Sequence, residues 1–411
     1  MAQGKPKLVI LGTGFSSFSL LKDVDVGAYD VTIVSPRNHF LFTPLLPSTT
    51  VGTIEFRSII EPVRTARENV EYYQAACTGI DTNRQIIECR NVLDDRVFPL
   101  WYDILFIGVG AESNTFGIPG VREHAHFLRD LGDARSIRQH IIENFERAST
   151  PGISVEERTR LLQVVVVGGG PTGIEFAAEL HDFVRDDIRK WYPRVVEEFM
   201  ITVLEATDKI LTTFDSVLRQ YTLRQFRRQG IAVRLKSIVS RVAERELFLH
   251  DGSQVPYGLL VWSTGIGQSS FVRDLPFVKN QSHRLLVDEY LRVKGCANIY
   301  AAGDCATVEQ TDLPPTSQVA QQEGRYLARV LNNSALGKLS PPFRYRHYGM
   351  LAYIGSNRAL ADLAAVKGKG FSTWLFWRST YLTKLVSLKN KILVIFDWSK
   401  TFLFGRDISR F

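Results

Sequence analysis

Two passages in which an apolar strand runs into a glycine-rich turn and then a helix-forming stretch predict an α/β protein. They point to two Rossmann-like dinucleotide-binding folds. The first is Pro6–Leu11 with Gly12, Gly14 and Ser17. The second is Gln163–Val167 with Gly168, Gly170 and Gly173. A third observation is the aromatic and basic stretch 371–411, which predicts an amphipathic membrane-association segment after the α/β body.

In the first fingerprint, GTGFSS, Gly12 allows the turn and Gly14 lets the backbone approach a pyrophosphate. Phe15 begins the helix, and Ser17 stands where a third glycine is usual, loosening helix–strand packing only slightly. The next strand, Asp30–Val34, ends in Ser35-Pro36-Arg37. A carboxylate clamp on the adenosine ribose is missing there, so Ser35 and Arg37 must substitute. Asn38–Val51, with Phe40, Phe42, Pro44 and Pro47, is expected to be a stiff, irregular apolar loop. Asp103–Val109 reads as a buried strand ending at Gly110-Ala111. Phe116–Gly120 reads as a turn and Leu128–Arg147 as one or two helices. The linker Ser149–Ser154, with Pro151-Gly152 at its centre, suits a domain crossing.

The second fingerprint carries the fuller signal. Four consecutive valines, Val164–Val167, suit the buried central strand of a parallel sheet. Gly168 turns, Gly170 approaches the phosphates, Pro171 and Thr172 open the helix, and Gly173 packs it close. The helix N-terminus presents unpaired N–H groups to the phosphates. Met200–Leu204 is the next strand, and Glu205 ends it. A carboxylate there accepts both ribose hydroxyls of NAD and repels the 2′-phosphate of NADP. A solvated strand end is the plainer alternative. Glu205 lies 37 residues after Gly168, farther than usual, so Asp182–Glu198 is expected to be an elongated crossover helix plus turn. The Gln163–Gly267 block reads as a complete inserted domain. It closes with the strand Leu259–Trp262 and the loop Ser263-Thr264-Gly265, which would border the nicotinamide.

Beyond it, Ala297–Ala302 is a strand into Gly303-Asp304, where the aspartate suits a ribityl hydroxyl or is a simple turn carboxylate. Leu313–Gly324 then opens a helix whose N-terminus would point at a flavin ring. Gln318 and Gln322, four apart, share one face. Two solvated glutamines are the alternative. Two fingerprints in one chain argue for two different dinucleotides.

Composition bounds the rest. The 411 residues suffice for two or three domains, and 45% hydrophobic with 23% charged is ordinary for a globular protein. No apolar run is long enough to span a bilayer. The start enters a strand almost at once, so no signal or transit segment is expected within this chain. Cys77, Cys89, Cys296 and Cys305 form no CxxC pair, and the eight histidines show no metal spacing, so no metal site is expected. No nucleic-acid partner is expected. The C-terminal segment holds Arg378, Lys384, Lys389, Lys391, Lys400, Arg406 and Arg410 against Asp397 and Asp407, +5 of the chain's +7. Trp374, Trp377 and Tyr381 are spaced to share a helix face, which is expected to lie in the headgroup layer. Anionic lipid adds about 1 kcal/mol per basic residue near the surface. A dimer contact or a core-packing tail remains the alternative.

Four segments carry a resemblance: SPRNHFLFTPLLPSTTVGTIEFRSI, VVVVGGGPTGIEFAAELHDF, NIYAAGDCA with LPPTSQVAQQEG, and DWSKTFLFGRDISRF. On these the chain resembles a type II NADH:quinone oxidoreductase of the mitochondrial and protist branch, over essentially its whole length. The resemblance implies a two-dinucleotide-binding-domain flavoprotein, single-subunit and non-proton-pumping. Hydride would pass from NADH to N5 of non-covalent FAD, and two electrons then to membrane ubiquinone. It implies FAD near Gly12, Gly14, Phe15, Ser17, Ser35, Arg37, Thr43, Gly110, Gly303, Asp304 and Gln318. It implies NADH near Gly168, Gly170, Pro171, Thr172, Gly173, Glu175, Glu205, Thr264 and Gly265. The reaction would rest on Glu175, holding the carboxamide, and on Gln318 and Gln322 beside the quinone. The family helix often reads AQVAHQ, whereas Ser317 and Gln321 stand here. Only Thr307–Asp312 separates GDCA from LPPT, so no calcium loop is expected. The domains implied are 1–150 and 281–340 for FAD and 155–280 for NADH, with 341–411 for membrane association and dimerisation. The setting implied is a homodimer peripheral on the mitochondrial inner membrane. Two rivals stand beside this: a dithiol flavoprotein, which needs a cysteine pair by the flavin, and a non-respiratory NADH-binding flavoprotein with redox-linked partner binding.

Overall fold

The computed structural model describes residues 4–364 and 366–409, which fall into two compact units. The first is built from the stretch ending at Leu41, from Ile60–Glu112 and from Ile266–His347. Its centre is an all-parallel sheet in the order Ile299–Ala301, Ile104–Ile107, Lys7–Leu11, Asp30–Val34, Val70–Tyr73. Leu8, Val9, Ile10 and Leu11 are all buried, as a strand covered on both faces requires. Helix Phe15–Asp23 lies against helix Ser317–Ala335. Gly324 makes that crossing possible, since a Cβ there would run into the Ser16 carbonyl. An antiparallel sheet of Ala75–Asp81, Ile86–Asn91 and Val97–Trp101 also belongs to this unit.

The second unit comprises Phe42–Ile59, Ser113–Gly265 and the chain from Tyr348 onward. Its parallel sheet runs His126–Phe127, Leu259–Trp262, Gln163–Val167, Met200–Leu204, Ala232–Arg234. Val165, Val167, Leu204, Leu260 and Trp262 share a core cluster with Val239, Leu247 and Val255 of a neighbouring antiparallel sheet. Helix Leu131–Ala148 is a single helix, opened by a reciprocal capping box between Asp130 and Asp133. The crossover helix Pro171–Phe183 continues through a wide π turn, Val184–Ile188, and a last turn, Arg189–Trp191. This accounts for the long spacing to Glu205.

Three expectations need correction. Asn38–Val51 is ordered structure, not an irregular loop. His39–Leu41 pairs antiparallel with Ile60–Pro62 in the first unit. In the second, Thr43–Leu45 is a 3-10 turn and Leu46–Thr49 a helical turn. Pro44 and Pro47 sit in the first turns of these pieces, where a missing N–H costs nothing. The Ser149–Ser154 linker lies inside the second unit, because the helices on either side of it, Leu131–Ala148 and Val155–Leu161, pack on each other.

The C-terminal aromatics also depart from expectation. Helices Phe371–Lys384 and Leu388–Phe404 follow an antiparallel sheet of Met350–Tyr353, Ala359–Asp362 and Lys367–Gly370. The face bearing Trp377 and Tyr381 is turned inward. Trp377 lies 5.6 Å from the Tyr353 ring and 4.8 Å from that of Tyr381, which in turn lies 6.2 Å from Phe42. The Arg378 guanidinium stacks on Trp374 and Trp398. Lys400 pairs with Glu55, and Arg406 with Asp187. The exposed apolar set is a different one: Phe371, Leu375 and Phe376 on the first helix, and Leu388, Ile392, Phe396 and Phe402–Phe404 on the second. Arg410 lies outside the described residues. Among the described residues no helix is long and apolar enough to cross a membrane.

Candidate functional site

In the first unit, Gly12 has φ +92°, and a Cβ there would lie 2.5 Å from the Gly108 carbonyl oxygen. Gly14 caps the following helix with no side-chain hydrogen bond, so the first-turn N–H groups face an approaching phosphate. Ser17 does more than tolerate the third-glycine position. Its hydroxyl reaches the Leu11 carbonyl at 3.1 Å and that of Gly108 at 3.2 Å, pinning helix to sheet. Ser35 is buried at the end of its strand. Its Oγ lies 3.2 Å from Thr13 Oγ1 and accepts the Arg37 N–H, while Arg37 Nε donates to the His39 carbonyl. Gly110 also has positive φ and open space around it. Gly303, at φ +78°, donates its N–H to Glu323 Oε2 at 2.7 Å, and the Asp304 carbonyl accepts from Gln268 Nε2. This cradle without Cβ atoms, beside an uncapped helix end, fits a flavin dinucleotide. Thr43 lies in the second unit, at the start of the Thr43–Leu45 turn.

Glu323 was not foreseen. Burial pushes its carboxyl up to about 8, against the Gly303 N–H and the Arg284 charge. In the sequence it is one glutamate in a helix, and nothing local marks it as a partner of a turn twenty residues earlier.

Gln318 and Gln322 lie on helix Ser317–Ala335, capped by Thr316. Neither is a merely solvated side chain. Gln318 Oε1 accepts the Tyr345 hydroxyl at 2.9 Å. Gln322 donates Nε2–H to the Arg346 carbonyl at 2.8 Å and accepts its N–H at 3.0 Å. The four cysteines are free. Cys305 is buried, donates to the Ala302 carbonyl, and is pushed by burial up to about 12, far from a reactive thiolate.

In the second unit the glycine turn is also close-packed. A Cβ at Gly168 (φ +116°) would meet Ser263 O and Thr264 Cβ, both at 2.9 Å, and one on Gly173 would strike the Gly168 carbonyl. Gly170 is the uncapped N-cap, with Pro171 at the first helical position and Thr172 next. Glu205 reaches back to this turn: Oε2 accepts the Gly169 N–H at 2.8 Å and Oε1 the Thr207 N–H at 2.9 Å. Each oxygen keeps lone-pair capacity for a ribose hydroxyl. Gly265, at φ +73°, leaves room for the Phe116 ring. These residues fit a second dinucleotide.

On the same helix Glu175, Glu179 and Asp182 are all buried and share one face. Glu175 accepts the Tyr353 N–H at 2.9 Å. Burial pushes it up to about 8, with Glu179 adding and the Tyr353 N–H opposing. Glu179 accepts the hydroxyls of Ser48 and Thr53, each at 2.7 Å. Asp182 accepts from the Tyr353 hydroxyl and the Ser356 N–H. Burial works against its charge, but these donors, His181 and Arg185 outweigh it and hold the carboxyl below its usual range. Of the three acids, only Glu175 is expected at the site from its sequence position. Among the described residues no group of acidic, His or Cys side chains is placed to hold a metal ion.

Residues 6–324 match the family described as pyridine nucleotide-disulphide oxidoreductase, and residues 347–407 match the NDH2 C-terminal domain. A probable NADH dehydrogenase of Dictyostelium discoideum is 50% identical, the match covering 98% of this chain and 91% of that one. The mitochondrial internal alternative NAD(P)H-ubiquinone oxidoreductase A1 of Arabidopsis thaliana is 43% identical, over 99% and 86%. A solved structure of NDH2 from Plasmodium falciparum in complex with NADH superposes with a TM-score of 0.94 at 30% identity, covering 99% of this chain and 100% of that one.

Proposed function

The chain belongs to the pyridine nucleotide-disulphide oxidoreductase family with an NDH2 C-terminal domain, and from that premise we propose how its residues serve its reaction. It is a type II NADH:quinone oxidoreductase, a single-subunit flavoprotein that oxidises NADH, reduces ubiquinone and pumps no protons. FAD, held by the glycine cradle of the first unit, would supply the two-electron redox chemistry between NADH and quinone. The protein supplies position and access.

The observation that carries the site assignment is the pair of cradles, only the second of which has an acidic residue at the next strand end. The first unit holds FAD. Gly12, Gly14, Phe15 and Ser17 face its pyrophosphate, Ser35 and Arg37 its adenosine ribose, and Gly110, Gly303 and Asp304 its ribityl side. The second unit holds NADH, with Gly168, Gly170, Pro171, Thr172 and Gly173 at the phosphates and Glu205 on the ribose hydroxyls. Thr264 and Gly265 border the nicotinamide. Glu175, with its raised pKa, meets the carboxamide as a protonated donor at neutral pH. Quinone is met by the Gln318 amide, while Gln322 fixes the segment around Arg346 beside it.

The relatives named above include a mitochondrial one, and mitochondrial membrane association follows for this chain. The finer assignment is peripheral attachment to the inner membrane through 371–411, as a homodimer. Supporting it is the exposed row Ile392, Phe396, Phe402, Leu403 and Phe404 on a helix otherwise held to its unit. The FAD assignment predicts a yellow protein whose flavin is released on acid precipitation. Flavin that stays with the precipitate contradicts it. A bulky apolar residue at Gln318 is expected to slow reoxidation by quinone and leave NADH-driven flavin reduction intact. The opposite split contradicts the acceptor assignment.

A further inference from the structure

Helix Ser317–Ala335 carries Gln318, Gln322 and Tyr326 at successive four-residue steps, so all three project from one face. The segment 341–347 lies antiparallel along that face. The Tyr326 hydroxyl donates to the Pro341 carbonyl at 2.8 Å, and its ring lies 5.3 Å from that of Phe343. Gln322 exchanges two hydrogen bonds with the Arg346 backbone. Phe343 N–H donates to the Glu289 carbonyl, tying the segment down on its other side. At the N-terminal end of the helix the phenol of Tyr345 reaches Gln318 Oε1 at 2.9 Å and His347 Nδ1 at 3.0 Å.

That chain of three side chains has a polarity. A hydroxyl has one proton, so Tyr345 donates to one neighbour and accepts from the other. With its proton on Gln318 Oε1, it accepts from His347 Nδ1–H. The Gln318 amide is then fixed with its oxygen toward Tyr345 and its NH2 edge turned the other way. An NH2 edge matches the carbonyl oxygen of a quinone. In the reverse polarity the amide flips and turns its oxygen outward, which repels a carbonyl. Burial raises the phenol above its ordinary range, so Tyr345 keeps the proton this arrangement uses.

We propose that Tyr345, backed by His347, is a positioning residue for quinone reduction. It holds the Gln318 amide in the orientation that donates a hydrogen bond to the quinone carbonyl. This rests on the assignment of Gln318 to the quinone. Tyr345 touches neither substrate and acts through Gln318 alone.

The test is a double-mutant cycle read by stopped flow, using Tyr345→Phe, Gln318→Ala and the double variant with their FAD bound. Reduction by NADH and reoxidation by a short-chain ubiquinone analogue are measured separately. Tyr345→Phe keeps the ring and removes only the hydroxyl; FAD content and the rate of reduction by NADH confirm that each variant is folded. The expected result is reoxidation slowed about tenfold, the scale of one neutral hydrogen bond, with the reductive rate unchanged. In the Gln318→Ala background the same change should have no further effect, because the residue it positions is gone. Tyr345→Phe reoxidising at the wild-type rate overturns the inference. So does a Tyr345→Phe effect that persists in full beside Gln318→Ala. If Gln318→Ala itself reoxidises normally, the quinone assignment of Gln318 fails instead, and with it the ground for this role of Tyr345.

Discussion

Glu205 gives the sharpest single perturbation. Its carboxylate accepts the Gly169 N–H and the Thr207 N–H, at 2.8 and 2.9 Å, and so holds the phosphate turn and the strand end together. With NADH placed in the second unit as proposed, the same charge would face a 2′-phosphate. Glu205→Gln keeps the size and one acceptor oxygen but removes the charge. Discrimination against NADPH should fall by about 1–3 kcal/mol, or about 5–150-fold in the ratio of kcat/KM values. The new NH2 group must also face one of the two backbone N–H donors. That unmet donor costs about 1–3 kcal/mol of local stability, so KM for NADH should rise as well. The assay is steady-state oxidation of each nucleotide with the same quinone. An unchanged NADPH-to-NADH ratio refutes the assignment of Glu205 to the ribose, whatever happens to KM.

Other outcomes follow from the buried titrating groups and the C-terminus. Burial holds Glu323 up at about 8, so its protonated form is preferred in the fold; the stability it lends is full below the ordinary value of 4.5 and is lost as pH rises toward about 8. The melting temperature of Glu323→Gln should therefore gain on the wild type from about pH 5 to about pH 8, and a constant difference contradicts this. His126 is the reverse case: burial first, then the neighbouring His140, lowers it from 6.5 to about 4, so stability present above 6.5 is lost as pH falls through that window. His126→Gln should flatten this acid limb, and an unaltered limb contradicts it. Replacing Phe402, Leu403 and Phe404 by Ser should weaken sedimentation with anionic liposomes while the fold survives, because all three are more than two-thirds exposed. Equal sedimentation removes that face as the anchor. Cutting the chain at Gly370 is a poorer test, since it takes Trp377 and Trp398 out of the core.

What the sequence made legible was whatever is local. Val164–Val167 and Leu8–Leu11 read as buried parallel strands because both faces of such strands are apolar, and the glycines read as turns because their backbone angles exclude side chains. What it hid was set by partners distant in the chain. Trp377 and Tyr381 have the spacing of a lipid-facing stripe, yet Tyr353 and Phe42 cover them. Helical spacing says which residues share a face and is silent on what that face meets. Glu179 was passed over because its donors, Ser48 and Thr53, lie more than a hundred residues away. Tyr345 was missed for the same reason, since its link to Gln318 appears only when the segment is laid along the helix. The proline-rich stretch after Asn38 misled in the other direction. Prolines signal irregular chain on average, but at helical first turns they are well placed.

The most direct test of the central claim is NADH oxidation by the purified, FAD-loaded protein with a short-chain ubiquinone analogue, followed through both half-reactions. Rapid bleaching of the flavin by NADH, rapid return of its colour on adding quinone, and sustained turnover with one quinone reduced per NADH are expected. A flavin that bleaches with NADH but stays reduced for long in the presence of quinone would contradict the claim and point to redox-linked partner binding instead.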